Sequence, residues 1–144
     1  MIPRLQSSDP EGVIGELARR MTDQLYFSDP QVLIDKALAR EAIASTAVEH
    51  SLAFPHVRGV DTGSLTFALG LSKKGIKFGA PKNRLSRIFF FIVIPIASSA
   101  FYLTLLAGLI ESLIKADARK KLLACSEQEE VWKTLKKLTK SHIL

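Results

Sequence analysis

A single cysteine, Cys125, stands in 144 residues, so no internal disulfide can brace this chain, and a reducing compartment suits it best. Histidine is also scarce. His50, His56 and His142 are the only three, and together with Cys125 they show no CxxC or HExxH spacing, so no metal site is expected. No glycine-rich phosphate loop, Gly-x-Ser-x-Gly turn or Ser-His-Asp arrangement is present, which removes the common nucleotide-hydrolase and serine-hydrolase readings. The start of the chain has no charged stretch followed by an apolar run and a small-residue cleavage site. A cytoplasmic location is the resulting expectation. Repeats and low-complexity tracts are likewise missing, and aromatics amount to 8% of residues.

What is present suffices for one globular core. Hydrophobic residues make up 47% of the chain, and 144 residues is close to the commonest domain size, so a single domain spanning 1–144 is expected. Lys and Arg number 20 against 14 Asp and Glu, a formal +6, and the isoelectric point lies near 9.6. That balance steers acidic or phosphorylated partners toward the surface. The lysines at 133, 136, 137 and 140 recur at helical steps, but Trp132 is the one aromatic among them and no nucleic-acid motif accompanies them. A solvated helix face is the expected role, and no nucleic-acid partner is assigned.

Residues 88–110 contain no charge and are long enough to cross a bilayer. Their texture argues otherwise. Ile88 to Ile94 is aromatic and β-branched, Pro95 ends the run, and Ser98-Ser99 marks a turn before Phe101, Leu105 and Leu109 fall at helical spacing. A buried strand followed by a core helix (101–114) is expected, without membrane insertion.

Elsewhere, Ser8-Asp9-Pro10 and Ser28-Asp29-Pro30 are two helix starts. The first apolar face is Val13, Ile14, Leu17, Met21 and Leu25; the second is Val32, Leu33, Leu38 and Ala39, ending near Glu41 or Ile43. Ile2 to Leu5 could be an edge strand, with Pro3 tolerable only there. Strands are expected over 52–54 and 64–71, then a basic turn at Lys73-Lys74-Gly75, an extended piece over 76–78 and a surface loop over 79–87. A short helix from Asp117 to Leu123 precedes a last one that begins at Ser126 with Glu129 three residues on, as in a capping box. Strands in the middle and helices at both ends predict an α+β fold with a mixed sheet covered on both faces.

The chemistry concentrates between Arg40 and Arg58. Pro55 fixes its own φ and holds Phe54 extended, so His56 is aimed by stiff backbone. A neutral imidazole is a nucleophile near pH 7, and Arg40, Arg58, Ser45 and Thr46 could supply donors to a phosphoryl group placed on it. His50 could line the mouth of such a pocket or simply face solvent.

The Arg40-Glu41 pair, the Ala44-Ser45-Thr46 step and Ala53-Phe54-Pro55-His56 together resemble the active-site signature of the type 2 enzyme IIA domains of the bacterial phosphotransferase system. These are the fructose, mannitol and nitrogen-regulatory (PtsN-like) phosphocarriers. Residues 75–81, the strand 88–95 and the helix run 103–109 continue the likeness in order and spacing. The resemblance implies a three-layer α/β/α sandwich of the phosphotransferase/anion-transport-protein type, His56 as phosphoacceptor and Arg40 as phosphate binder, with no cofactor. It implies an HPr-like histidine-phosphorylated donor, and a IIB domain or regulated target proteins downstream. With no fused transporter or IIB segment, the nitrogen-regulatory branch is the expected one. The family's second histidine falls on Tyr102, and its loop glycines fall on Ala47, Glu49 and Ser51. A phenol cannot carry positive charge, so a non-catalytic regulatory module with a weakened site stands as the alternative.

Overall fold

The sheet is organised around its longest fully buried run. A computed structural model describes residues 1–25, 29–60 and 65–140. Helices α1 (Pro10–Leu25) and α2 (Pro30–Ile43) come first, followed by strands β1 (Leu52–Ala53), β2 (His56–Val60), β3 (Thr66–Lys77) and β4 (Leu85–Pro95). Helices α3 (Ser99–Leu113), α4 (Ala116–Leu123) and α5 (Gln128–Thr139) complete the order. Each of β1, β2 and β3 pairs with β4, β1 and β2 in parallel and β3 antiparallel.

Because side chains alternate across a strand, β4 supplies two cores. Phe89, Phe91 and Val93 face the layer of α1 and α2, and Ile88, Phe90, Ile92 and Ile94 face the layer of α3, α4 and α5. Burial on both faces explains the continuous apolar run. The result is the expected three-layer sandwich with a mixed sheet. Residues 88–110 thus divide into a strand, a turn and a helix, and among the described residues no helix is long and apolar enough to cross a membrane.

Both helix starts take the expected form. The Asp9 carboxylate accepts from the Gly12 amide at 2.7 Å and the Asp29 carboxylate from the Gln31 amide at 2.9 Å, while Ser28 lies outside the described residues. Ile2 forms one parallel bridge to Gly70, so the N-terminal segment does lie at the sheet margin.

Several boundaries differ from expectation for identifiable reasons. Lys73-Lys74-Gly75 does not turn the chain: β3 runs through it to Lys77, and the register shift between Leu71 and Ile76 is absorbed with Gly75 at φ +83°. The loop expected over 79–87 shrinks to a 3₁₀ turn at Pro81–Asn83, since β4 begins at Leu85. In α2 the buried face is Leu33, Ile34 and Ala37, whereas Val32 is exposed. The capping box of α5 is Glu127 with Glu130, one residue later than Ser126 with Glu129.

The largest correction concerns α3. Phe101 points outward, 52% exposed, and the inward line is Tyr102, Leu105, Leu109 and Leu113. Phe90 on the facing strand is stacked on Phe54, ring centroids 5.5 Å apart, and tilted against Phe67 at 5.8 Å. Replacing Phe90 by alanine is expected to cost about 3–5 kcal/mol in urea unfolding, and Phe101→Ala no more than about 0.5 kcal/mol. Comparable losses in the two variants would place Phe101 in the core.

Candidate active site

Proline makes the site by interrupting a strand. β1 and β2 lie along the same side of β4, Leu52 opposite Ile88 and His56 opposite Ile92, with Phe54-Pro55 as the break between them. Pro55 has no amide hydrogen to give, but its carbonyl accepts from the Ile92 amide at 3.0 Å, so the break is pinned to β4. His56 therefore opens β2 at a fixed height. Its parity matches Leu52 and Phe54, which turns the imidazole toward α3, where only 8% of the residue remains exposed.

There the Nδ1 of His56 lies 2.9 Å from the Phe54 carbonyl oxygen. A carbonyl only accepts, so Nδ1 carries the proton and Nε2 keeps its lone pair. Burial lowers the imidazole pKa below the usual histidine value; the Phe54 bond opposes this, and the charges of Arg40 and Arg58 add to the lowering. The ring is thus held neutral at pH 7, in the tautomer of a nucleophile.

Tyr102 belongs to the same cluster. Its ring is tilted against the imidazole with centroids 5.7 Å apart, and the Arg58 guanidinium carbon sits 5.2 Å from its centroid. Burial raises the phenol pKa, with Arg58 and Arg40 pulling the other way, so the hydroxyl stays protonated and able to donate. Arg58 is fixed by an aromatic face, a contact worth about 0.5–1 kcal/mol at such a site. Arg40 sits in the last turn of α2 and donates from one Nη to the Ala44 carbonyl at 2.7 Å. One bond leaves most of its fork free.

The other candidates are placed differently. The Ser45 hydroxyl donates to the Phe78 carbonyl and accepts from the Ala47 amide, an approach that Gly79 permits, since a Cβ there would meet the Ser45 Cβ at 2.8 Å. The Thr46 hydroxyl and amide both donate to the Glu41 carboxylate. These two hydroxyls brace the loop and are not free donors. His50 does not join His56: it lines a separate cavity with Glu49, Lys82, Arg84 and Arg119. His142 lies outside the described residues, and among those no group of His, Cys, Asp and Glu is placed to hold a metal ion. Sequence reasoning allows a neighbouring backbone carbonyl to hold the ring N–H without singling out Phe54, and it missed the bracing role of Glu41. The signal for Glu41 was its position beside Arg40, five residues before Thr46.

A neutral, buried imidazole with a phenol ring against it and two guanidiniums whose charge reaches it is suited to receive a phosphoryl group. The family model for the phosphoenolpyruvate-dependent sugar phosphotransferase system, EIIA 2, matches residues 2–138. The chain belongs to this family. A fructose-specific EIIA component of the phosphotransferase system from Haloferax volcanii is 31% identical to this EIIA chain over 121 residues, 84% of this chain and 79% of the relative. The crystal structure of the nitrogen regulatory protein IIA-Ntr from Neisseria meningitidis superposes with a TM-score of 0.81 at 20% identity, covering 92% of this chain and 90% of that one. The mannitol enzyme IIA of Escherichia coli, solved in complex with phosphorylated enzyme IIB, gives 0.72 at 18% identity, covering 93% and 92%.

A proton NMR titration of the ring should place the His56 midpoint below the ordinary value of about 6.5. Arg40→Ala and Arg58→Ala should each raise it, because a neighbouring cation disfavours imidazolium. A wild-type midpoint at or above the ordinary value would contradict the buried, cation-flanked ring.

Proposed function

We propose that this EIIA protein is a phosphohistidine phosphocarrier acting in the cytoplasm. Nε2 of His56 attacks the phosphorus of a phosphohistidine on an HPr-like donor; a new N–P bond forms as the donor's N–P bond breaks, and the donor imidazole leaves with that electron pair. Both ends of the transfer are imidazoles, so the step needs in-line positioning and charge neutralisation more than it needs a metal. Arg40 and Arg58 neutralise the phosphoryl oxygens, and Tyr102 donates one hydrogen bond. The observation that carries this reading is the Nδ1–H bond to Phe54, which leaves Nε2 basic in the field of two cations.

The downstream acceptor is the cysteine of a IIB domain, a reading supported by the fructose-specific relative and by the mannitol IIA–IIB complex. A regulatory use in the manner of the nitrogen branch, in which partners read the phosphorylation state, is the second reading. Its support is Tyr102, a neutral group where the family has a histidine, which shortens the lifetime of the phospho-form.

Incubation with phosphoenolpyruvate and the general phosphotransferase components should give one acid-labile phosphoryl group per chain, absent in His56→Ala. Label retained by that variant would refute His56 as acceptor. Tyr102→His restores a group that can be cationic; at an effective dielectric near 20, a charge pair at about 4 Å is worth roughly 4 kcal/mol, and a quarter of that slows phosphohistidine loss about fivefold. The gain should be present below the pKa of the new imidazole and fade as pH rises through it. Arg40→Ala should shorten the half-life across pH 6 to 9, since guanidinium does not titrate there. Equal half-lives for wild type and Tyr102→His would leave Tyr102 without a part in holding the phosphoryl group.

A further inference from the structure

The opposite end of the sheet carries its own charge. The Ser51 carbonyl accepts from the Arg87 and Ile88 amides, while His56 pairs four residues further along β4, so about 13 Å separates Ser51 from the level of the imidazole. Two cavities meet at that far end. One, about 480 Å³, contains Lys73, Arg87 and Lys120 in its wall; the other, about 320 Å³, contains Lys82 and Arg84; Ser51 and Arg119 line both, making one groove.

Six cations thus face a concave surface whose one acidic residue is Glu49. None of the six forms a salt bridge among the described residues; the ion pairs there are on Lys121 and Lys133. Two of the guanidiniums are held in place by neutral acceptors only. Arg119 donates to the Leu113 and Ile114 carbonyls at 2.9 and 2.6 Å, and Arg87 to the Lys73 carbonyl at 3.3 Å and the Ser51 hydroxyl at 3.4 Å. Their positions are set and their charge is uncompensated.

We infer that this groove binds a small anion carrying two or more phosphate groups, at a site separate from His56. Six cations against one carboxylate exceed what a single phosphate needs, and fixed guanidinium forks match phosphate oxygens. A single-stranded nucleic acid would call for a run of aromatic platforms, and no Phe, Tyr or Trp lines either cavity, His50 being the one aromatic ring there.

The test uses the full chain and inorganic tripolyphosphate in calorimetric titration at about 0.15 M salt, where diffuse surface attraction is screened. One saturable equivalent is expected, weakened about tenfold or more in Lys82→Glu/Arg84→Glu, two exposed positions whose reversal spares the fold. Lys136→Glu/Lys137→Glu, which removes the same charge from α5, and His56→Ala should both bind as wild type does. Absence of saturable binding, or equal weakening by the α5 reversal, would reduce the groove to general surface charge. Loss of binding in His56→Ala would move the ligand to the phosphoacceptor site, and tighter capture of a short DNA single strand than of tripolyphosphate would replace the proposal with a nucleic-acid surface.

Discussion

The 2.9 Å hydrogen bond from the Nδ1–H of His56 to the Phe54 carbonyl is the contact on which the site depends. Its net contribution to stability is modest, about 1 kcal/mol. Its leverage lies elsewhere, because two tautomers of a neutral imidazole differ by little, and a bond of that size is enough to choose between them. The chosen one exposes the basic nitrogen. Once that choice is made, burial and the charge of the two arginines keep the ring from protonating. One arrangement therefore fixes both the tautomer of the imidazole and its electrostatic surroundings.

Three readings were available from local sequence because the residues involved act locally. Asp9 and Asp29 cap the helices they precede, and Pro55 aims the histidine it precedes. The buried strand was legible because β-branched and aromatic residues filled it without a gap. The misses came where local chemistry is degenerate. A glycine after two lysines serves a turn or a bulge equally well, and only the pairing of β3 with β4 across the interruption decides between them. Helix α3 is apolar nearly all round, so its sequence does not fix its phase; the sheet does, and it selects Tyr102 over Phe101. Ser45 and Thr46 looked like free hydroxyls since nothing in the sequence announces that the Phe78 carbonyl and the Glu41 carboxylate will claim them. His50, six residues from His56, looked near in the chain, but an extended backbone turns that interval into distance.

Placing two cationic regions at opposite ends of one sheet has an electrostatic cost that the sequence distributes rather than cancels. Acidic residues gather in first turns, Glu11 in α1, Asp117 in α4, and Glu129 and Glu130 in α5, where they complement helix dipoles instead of neutralising arginines. The positive field at each end is left intact, and it is strongest where the backbone holds the guanidiniums still.

The broken strand also bears on how the molecule behaves in a crowded solution. Strand β2 has β4 on one side, and among the described residues no strand pairs with its other side. An open row of amides and carbonyls there would be a template for a second chain. The shift between Arg58 and Val60 disturbs the spacing of that row, and Arg58 brings a charge. At the far margin of the sheet, Pro3 follows the single bridge of Ile2 and leaves no amide hydrogen on the outward side. Irregular, charged and proline-bearing edges resist strand addition. The arginine that stands beside the histidine thereby also helps keep the sheet from extending into a neighbour, so replacing Arg58 puts solubility at risk together with chemistry.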